Sequence, residues 1–340
     1  MPIGSKVVWK CGDKISLLDP VLDRALAGGI PTGYVTEITG ESGVGKTQFL
    51  LTLLLAAQLP KPQGLGRSSI YISTEAPLST KRLSQILNSN LSMTNLAEDV
   101  RPRLENVRAV PCGDLEAQDH ILEFQLPAAV EKYNVGLVVL DSVAANYRAE
   151  QASSVPKALA DRARRLAKLG HLLRRLAVEK DIAVVVANQV SDRLDNSISR
   201  VPYLPASSLH SSSPVHSSSP VPSQHIQPVG ENSTLSLDSQ QRFFTGWGDE
   251  GAWTPGLKTP ALGLGWSNQI ACRIALKMDG NQVHDPIILQ GPDGQTVGGN
   301  IWSTRRSRRY MKIVFSPLAA SHEQHGGIGY EITAGGIQAV

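Results

Sequence analysis

The sequence predicts an α/β protein with a mostly parallel sheet flanked by helices and an antiparallel β extension towards its C-terminus. Short apolar runs alternate with helix-like runs through the first 190 residues, which is the rhythm of βαβ units. A glycine-rich loop separates the first of these runs from a leucine-rich helix. Beyond residue 270 the strand-like runs follow one another without a good helix between them.

The βαβ part can be assigned in chain order. A strand at 35–39 precedes the leucine-rich helix at 48–58, and a second strand covers 69–73. A helix is expected over 115–132. The next strand, 135–140, is an unbroken apolar run, which is typical of a strand buried on both faces of a sheet.

The remaining elements divide into a helical half and a strand-rich half. The long helix 156–180 carries leucines at heptad-like spacing, at positions 159, 166, 169, 173 and 176. They define one apolar stripe. Another buried strand follows at 182–187. The C-terminal extension consists of strand-like runs at 270–276, 309–315 and 329–333, with turns at Asp279-Gly280 and Asp293-Gly294 between the first two.

Composition and cysteine spacing argue against a disulfide-rich, zinc-binding or membrane-spanning protein. The chain has 340 residues, 41% of them hydrophobic, which is enough for a substantial core. Its net charge of +3 says little about partners, because the distribution of charge matters more than the sum. The three cysteines, Cys11, Cys112 and Cys272, form no C-x-x-C pair, so neither a disulfide framework nor a zinc site is expected. The sequence has no secretory signal and no apolar run of membrane-spanning length, so no membrane partner is expected.

One segment, residues 201–241, differs in composition from the rest. It contains no lysine or arginine and repeats His-Ser-Ser-Ser-Pro-Val in tandem from His210 and His216. Such a composition cannot bury enough apolar surface to offset chain entropy, so we predict a disordered insertion. Its histidines could suggest a metal tract, but a low-complexity loop is the simpler interpretation because no thiolate or regular carboxylate accompanies them.

The loop between the first strand and its helix carries the main functional signal. It matches G-x-x-x-x-G-K-[ST] and reads Gly40-Glu41-Ser42-Gly43-Val44-Gly45-Lys46-Thr47, followed by Gln48. Glycines let backbone N–H groups approach phosphate oxygens, Lys46 places a charge on the β and γ phosphates, and the Thr47 hydroxyl is a Mg²⁺ ligand. The alternative is a chance match, against which the preceding strand and following helix argue. The sequence therefore predicts a site for ATP and Mg²⁺.

Polar residues at other strand ends complete the predicted site, because strands that end together in a parallel sheet share the ligand crevice. Asp141 is expected in the Mg²⁺ shell, and capping of the next helix is its alternative. Glu75 is the candidate general base that activates the attacking water. The alternative interpretation is that Glu75 is simply a solvated glutamate in a turn. Asn188-Gln189 could sense the γ phosphate or simply cap a strand, and spacing alone does not decide between these roles.

Four motifs in this order resemble the RecA-type recombinase family of eukaryotes. They are Gly-Glu-Ser-Gly-Val-Gly-Lys-Thr-Gln at 40–48, Tyr-Ile-Ser-Thr-Glu at 71–75, Leu-Asp-Ser at 140–142 and Asn-Gln-Val at 188–190. Two further features resemble the recombinase paralogues more than the main strand-exchange enzyme. One is the run at 260–269, and the other is the run at 27–31 together with 36–42. The resemblance covers the chain from Leu17 onwards, apart from the insertion, and implies a RecA-like P-loop ATPase core.

The resemblance also implies roles for individual residues. Lys46 and Thr47 would hold ATP and Mg²⁺, Asp141 the metal shell, Glu75 the attacking water, and Gln189 the γ phosphate. Arg82 matches a family position that packs on adenine. The two DNA-facing loops of the family would follow Tyr147 and Val190, and the second would contain the insertion.

The implied organisation is a short N-terminal segment (1–16), an ATPase core (17–200), the insertion (201–241) and the C-terminal part of the core (242–340). The family usually has a helical N-terminal domain before this core. The main recombinases also carry a Phe-x-x-Ala docking motif, whereas no phenylalanine precedes Phe49 here. These departures argue against filament formation by this chain alone. The partners that the resemblance implies are another RecA-type paralogue in a heterodimer, the main recombinase and single-stranded DNA.

Two basic clusters could neutralise DNA phosphates. The long helix carries Arg162, Arg164, Arg165, Lys168, Arg174 and Arg175, and a second cluster contains Arg305, Arg306, Arg308 and Arg309. A solvated helix face or packing against a partner subunit explains the first cluster equally well, and a nuclear-import patch explains the second. DNA binding and a nuclear location are therefore implied mainly by the resemblance.

Three functional hypotheses follow from the sequence. The resemblance implies an ATP-binding, DNA-dependent mediator of homologous-recombination repair of double-strand breaks, which assists recombinase assembly on single-stranded DNA. The second hypothesis is a nucleotide-gated scaffold with negligible hydrolysis, against which the intact Glu75 argues. The third is an unrelated P-loop enzyme such as a small-molecule kinase, for which the sequence offers no lid.

Overall fold

The computed structural model of the chain describes residues 12–148, 156–192, 244–247, 258–278, 308–321 and 327–340. Several predictions lie outside these residues. They concern the insertion at 201–241, the turns Asp279-Gly280 and Asp293-Gly294, the residues Arg305 and Arg306, and most of both expected DNA-facing loops.

Strands and helices alternate through the first half of the described part. The strands are β1 (Lys14–Ile15), β2 (Ile30–Pro31), β3 (Val35–Gly40), β4 (Ser68–Ser73), β5 (Val107–Pro111), β6 (Val135–Asp141), β7 (Ala183–Asp192), β8 (Lys258–Pro260), β9 (Cys272–Met278), β10 (Arg309–Phe315), β11 (Ile328–Thr333) and β12 (Gly336–Ala339). The α-helices are α1 (Pro20–Ala25), α2 (Lys46–Ala56), α3 (Thr80–Ser89), α4 (Leu91–Thr94), α5 (Leu115–His120), α6 (Leu126–Lys132), α7 (Ala145–Arg148), α8 (Pro156–Lys180) and α9 (Gly263–Ser267).

A large mixed sheet organises these elements in the order β12-β11-β10-β9-β3-β7-β6-β4-β5. Neighbours from β9 to β5 are parallel, so their carboxyl ends meet at one edge of the sheet. The neighbours from β9 to β12 are antiparallel. The predicted fold class, a mostly parallel sheet with an antiparallel C-terminal extension, is confirmed.

Helices cover both faces of this sheet. In β6, Leu137 and Val139 belong to one buried cluster and Val138 and Leu140 to the other, because side chains alternate between the faces of a strand. The first cluster includes the buried residues of α2. The second includes the predicted stripe of α8, at Leu166, Leu169, Leu173 and Leu176. The helices of the described ranges are all too short or too polar to span a bilayer.

The predicted elements are found with small shifts. The helix expected over 115–132 consists of α5, a π-helical stretch (Ile121–Gln125) and α6. The strand expected at 182–187 continues to Asp192, and its last residues pair with β8. The sequence-based prediction has no counterpart for the strands β1, β2, β5, β8 and β12 or for the helices α1, α3, α4, α7 and α9.

Candidate nucleotide-binding site

The phosphate loop (residues 40–47) connects β3 to α2 at the carboxyl edge of the sheet. Gly43 and Gly45 have φ angles of +77° and +110°, a left-handed conformation that residues with a Cβ rarely adopt. Gly45 also precedes the first residue of α2, and a Cβ on it would lie 2.8 Å from Ile332 Cδ1. The backbone conformation therefore favours glycine there, and a larger residue would also displace the end of the Ile332 side chain. The first residues of α2, Lys46 to Gln48, line the pocket, so the N-terminal end of this helix is at the predicted phosphate site.

The next two residues link the loop to the predicted metal ligand. Lys46 Nζ donates to the carbonyl oxygens of Gly40 and Glu41, at 2.8 and 2.7 Å. Thr47 Oγ1 donates to Asp141 Oδ2 at 2.9 Å. The structure thus brings together the two residues that the sequence assigned to Mg²⁺, although they are far apart in the chain.

Burial and hydrogen bonds have opposite effects on the pKa of the Asp141 carboxyl. Tyr71 donates from its hydroxyl to Asp141 Oδ2 at 2.8 Å. Burial raises the pKa of Asp141, while the hydrogen bonds from Tyr71 and Thr47 and the charge of Lys46 oppose that rise. Burial and the negative charge of Asp141 raise the pKa of Tyr71, so its hydroxyl remains a donor at neutral pH. Aspartate and threonine oxygens are hard ligands of the kind Mg²⁺ prefers, so the residues present fit this ion.

The predicted base and the predicted sensor are in contact. Gln189 Nε2 lies 3.1 and 3.3 Å from the two carboxylate oxygens of Glu75, which accept its hydrogen bonds. Gln189 is also the register partner of Gly40 in the phosphate loop. The neighbouring Asn188 is fully buried and donates to Glu37 Oε1 at 2.7 Å. Of the two amides at this strand end, Gln189 is therefore the one that faces the pocket.

A cavity of about 610 Å³ joins these residues, a size usual for small-molecule sites. Its far wall contains Arg82, the predicted adenine-packing residue. The Arg82 guanidinium donates to Gln48 Oε1 at 2.7 Å and to the carbonyls of Thr333 and Ala334 at 2.6 and 3.1 Å. These contacts fix the plane of the guanidinium. Its packing on adenine stays a prediction.

Comparison with known proteins decides the family. A family model described as Rad51 matches residues 15–203. The chain belongs to the Rad51 family. The DNA repair protein rhp57 of Schizosaccharomyces pombe is 37% identical over 311 residues, covering 88% of this chain and 73% of that protein.

Two further relatives agree with the predicted type of paralogue. The DNA repair protein RAD57 of Saccharomyces cerevisiae is 30% identical, covering 94% of this chain and 77% of that protein. The DNA repair protein XRCC3 of Bos taurus is 35% identical and covers 54% of each chain. The predicted resemblance to RecA-type paralogues, close to the fungal RAD57 and animal XRCC3 proteins, is confirmed. A Rad51-family core of this kind implies nucleotide binding with a divalent metal.

Three contacts of this Rad51-family site could not be anticipated from local sequence. The Tyr330 hydroxyl donates to the Val44 carbonyl of the phosphate loop at 2.7 Å. Lys258 Nζ lies 3.5 Å from Glu41 Oε2. The third is the set of contacts between Arg82 and the turn after β11. Each joins the loop or the pocket to residues far along the chain, and no sequence motif marks them.

Several basic side chains of α8 in this Rad51-family chain bind groups within the same chain. Arg162 donates to the Ala261 carbonyl at 3.3 Å, and Arg174 donates to the Gln269 carbonyl at 3.0 Å. Lys168 pairs with Glu123 at 2.8 Å. Packing or ion pairing inside the chain therefore accounts for part of the cluster. Three arginines of the helix have exposed side chains: Arg164, Arg165 and Arg175. Arg308 of the second cluster is exposed as well.

Proposed function

We propose that this Rad51-family chain is an ATP-binding, DNA-dependent ATPase-type mediator of homologous-recombination repair of DNA double-strand breaks. It acts in the nucleus within a complex of paralogues and assists recombinase assembly on single-stranded DNA. The observation that carries the ATPase part is the convergence of Thr47, Asp141, Glu75 and Gln189 on one pocket. The repair part is supported by relatives that are named DNA repair proteins.

Each residue of the pocket has its own role in the proposed hydrolysis of ATP. The N–H groups of the loop and Lys46 bind the phosphates, and Thr47 and Asp141 would hold Mg²⁺. When bound, the ion neutralises charge on the β and γ phosphates. Glu75 orients a water molecule and accepts its proton. Gln189 holds both oxygens of Glu75 and so ties this base to β7.

The proposed partners follow from the sequence and from exposed charge. Single-stranded DNA would meet the exposed arginines Arg175 and Arg308, which can neutralise phosphates without reading bases, and Arg164 would have to exchange its ion pair with Asp161 for a phosphate. A second RecA-type paralogue would form a heterodimer with this chain, and the main recombinase would be the assembly that they serve.

The alternative is a nucleotide-gated scaffold with negligible hydrolysis, and one observation favours it. Both carboxylate oxygens of Glu75 are bonded to the Gln189 amide. Hydrogen bonds to the charged form of a carboxylate stabilise that form and make it a weaker base towards water. If Glu75 is too weak a base, ATP would bind and order the subunit without being consumed.

The test is ATP turnover by the purified chain with and without single-stranded DNA. We expect DNA-stimulated turnover that is lost in Lys46→Ala, which also loses nucleotide binding. Glu75→Gln should keep binding and lose about 100-fold or more in turnover, the usual effect of removing a general base. Glu98→Gln is the matched control, because Glu98 is exposed and lies outside the pocket lining. Tight binding without turnover in the unmodified chain would favour the scaffold, and ATP affinity unchanged in Lys46→Ala would contradict the phosphate loop.

A further inference from the structure

Tyr71 lies behind the predicted metal ligand rather than in the wall of the pocket. It belongs to β4, its side chain is buried, and it is not one of the residues that line the cavity. Its hydroxyl donates to Asp141 Oδ2 at 2.8 Å. Asp141 does line the cavity, so Tyr71 meets the nucleotide site through this carboxylate.

Strand pairing and packing fix the position of the Tyr71 ring. In the register of β4 with β6, Tyr71 is the partner of Val139, and Ser73 is the partner of Asp141. The Tyr71 side chain therefore reaches diagonally to a residue two positions further along the neighbouring strand. Its ring belongs to the buried cluster that includes the apolar residues of α2. The hydroxyl is thus held at the carboxylate by a ring that has little freedom to move.

The hydroxyl of Tyr71 shares its acceptor with a second donor. Thr47 Oγ1, in the first turn of α2, donates to the same Asp141 Oδ2 at 2.9 Å. A carboxylate oxygen has two lone pairs, so these two hydrogen bonds occupy both of them. Within the described part of the chain, the hydrogen bonds to this carboxylate come from Tyr71 and Thr47 and end on Oδ2. Oδ1 is therefore the oxygen that Asp141 can offer to an ion.

A carboxylate that offers one oxygen suits Mg²⁺ better than Ca²⁺. Mg²⁺ requires nearly octahedral geometry, keeps several waters and binds through few carboxylates together with substrate phosphates. Ca²⁺ accepts more oxygens and often takes both oxygens of one carboxylate. Without Tyr71, the carboxylate would be held by Thr47 alone, which is itself an expected ligand. Asp141 could then turn and offer both oxygens to the larger ion.

We propose that Tyr71 is a positioning residue that holds Asp141 by one oxygen and thereby sets the affinity of the site for Mg²⁺ and its preference for Mg²⁺ over Ca²⁺. The inference rests on the proposed binding of ATP with Mg²⁺ to this pocket. Groups that hydrogen-bond to a metal ligand orient that ligand, and their loss lowers metal affinity. Tyr71 has this relation to Asp141.

The test is binding of a non-hydrolysable ATP analogue to the full chain, titrated separately with Mg²⁺ and with Ca²⁺. Tyr71→Phe keeps the ring and removes only the hydroxyl. We expect the Mg²⁺ concentration for half-maximal binding to rise about tenfold, and the Ca²⁺ concentration to rise about threefold or less. Binding of the analogue without a divalent ion should change little. Tyr133→Phe is the matched control, because Tyr133 lies outside the pocket lining and its ring keeps the contact with Arg108.

A double-mutant cycle shows whether Tyr71 acts through Asp141. In the Asp141→Asn background, Tyr71→Phe should change the Mg²⁺ titration little, because the charged carboxylate that Tyr71 holds is gone. A further tenfold loss in that background would overturn the proposal. Equal losses for Mg²⁺ and Ca²⁺ in Tyr71→Phe alone would also overturn it, since the preference between the ions would then not depend on the hydroxyl.

Melting curves without nucleotide separate these outcomes from misfolding. If folded Tyr71→Phe loses analogue binding equally with and without a divalent ion, Tyr71 is only structural and the proposal is wrong. If the unmodified chain fails to bind the analogue, the proposed function itself has failed. If the unmodified chain binds and Tyr71→Phe gives the same Mg²⁺ and Ca²⁺ titrations, only the role of Tyr71 has failed.

Discussion

At the residue scale, Asp141 serves two opposing needs. Coordination of Mg²⁺ requires a charged carboxylate. Burial nevertheless raises the pKa of this carboxyl, so the fold favours its neutral form more than water does. Hydrogen bonds from Thr47 and Tyr71, at 2.9 and 2.8 Å, offset part of this cost. The negative charge of Asp141 therefore lowers the stability of the nucleotide-free fold, although the site needs that charge to bind Mg²⁺.

We predict that Asp141→Asn raises stability and weakens metal-dependent binding. The pKa is raised in the folded state, so the folded chain keeps this proton to higher pH than the unfolded chain. Stability from this group falls as pH rises between the ordinary and the raised pKa and stays low above that interval. The variant should therefore melt at a higher temperature at neutral pH, while Mg²⁺-dependent ATP affinity falls about tenfold or more.

Melting curves between about pH 4 and 8, with a Mg²⁺ titration of nucleotide binding, test this prediction. Asp99→Asn is the control, because Asp99 is exposed. A lower melting temperature for Asp141→Asn at neutral pH would show that the two hydrogen bonds outweigh burial.

The sequence allowed much of the site to be predicted at this scale. The phosphate motif and the rule that parallel strands share a ligand crevice were enough to expect Asp141, Glu75 and Gln189 at one pocket, which they line; their roles stay predictions. The Glu37–Arg273 pair could not be found, because Arg273 lies within an apolar run and nothing in the local pattern indicates a buried cation.

At the scale of elements, the C-terminal hairpin β11–β12 forms part of the nucleotide site. Tyr330 of β11 bonds to the Val44 carbonyl, and the Thr333 carbonyl at the end of the same strand accepts a hydrogen bond from Arg82. Gly45 packs against Ile332, also in β11. The antiparallel extension therefore braces the phosphate loop as well as widening the sheet.

We predict that Tyr330→Phe weakens ATP binding about fivefold with little change in fold. The ring stays, but the buried Val44 carbonyl loses its donor, and a typical hydrogen bond contributes about 1 kcal/mol. Calorimetric binding of an ATP analogue measures the effect. Tyr310→Phe, the same change on the neighbouring strand β10, is the control. Unchanged affinity in Tyr330→Phe would mean that the loop is held without this bond.

Seven of the described strands and the helices α2, α5, α6 and α8 were predictable, and all the elements that were missed except α3 have six residues or fewer. The helix α8 and the strand β10 have the predicted limits; α8 carries leucines at heptad-like spacing, and β10 is a mostly apolar run. The edge strand β5 was missed since it carries Arg108 and Pro111 and is mostly exposed. The place of β11 and β12 beside the pocket depends on strand order, which no local pattern encodes.

At the scale of the whole molecule, the long connection from β7 to β8 begins and ends at one place, because Asp192 and Lys258 are register partners. Most of that connection lies outside the described residues. Its predicted disorder, and the core boundaries 17–200 and 242–340, remain predictions. The entropy of closing a flexible loop changes slowly with its length, so a shorter connection should serve the strand pair as well.

We predict that deletion of residues 203–239 leaves the fold and the pocket intact. The low-complexity composition offers little apolar surface to bury, so the melting temperature should change by less than about 2 °C. Melting curves and binding of an ATP analogue check both expectations. A glycine-serine replacement of equal length is the control for loop length. A large drop in melting temperature would show that the segment packs on the core.

The bond between Tyr330 and Val44 joins residues 286 positions apart. During synthesis, the phosphate loop is therefore complete long before the strand that braces it leaves the ribosome. A stop codon between residues 48 and 330 would produce a chain with an intact phosphate-binding motif but without the strand that braces it. The presence of the motif in a truncated chain therefore does not show that the chain binds nucleotide as the full chain does.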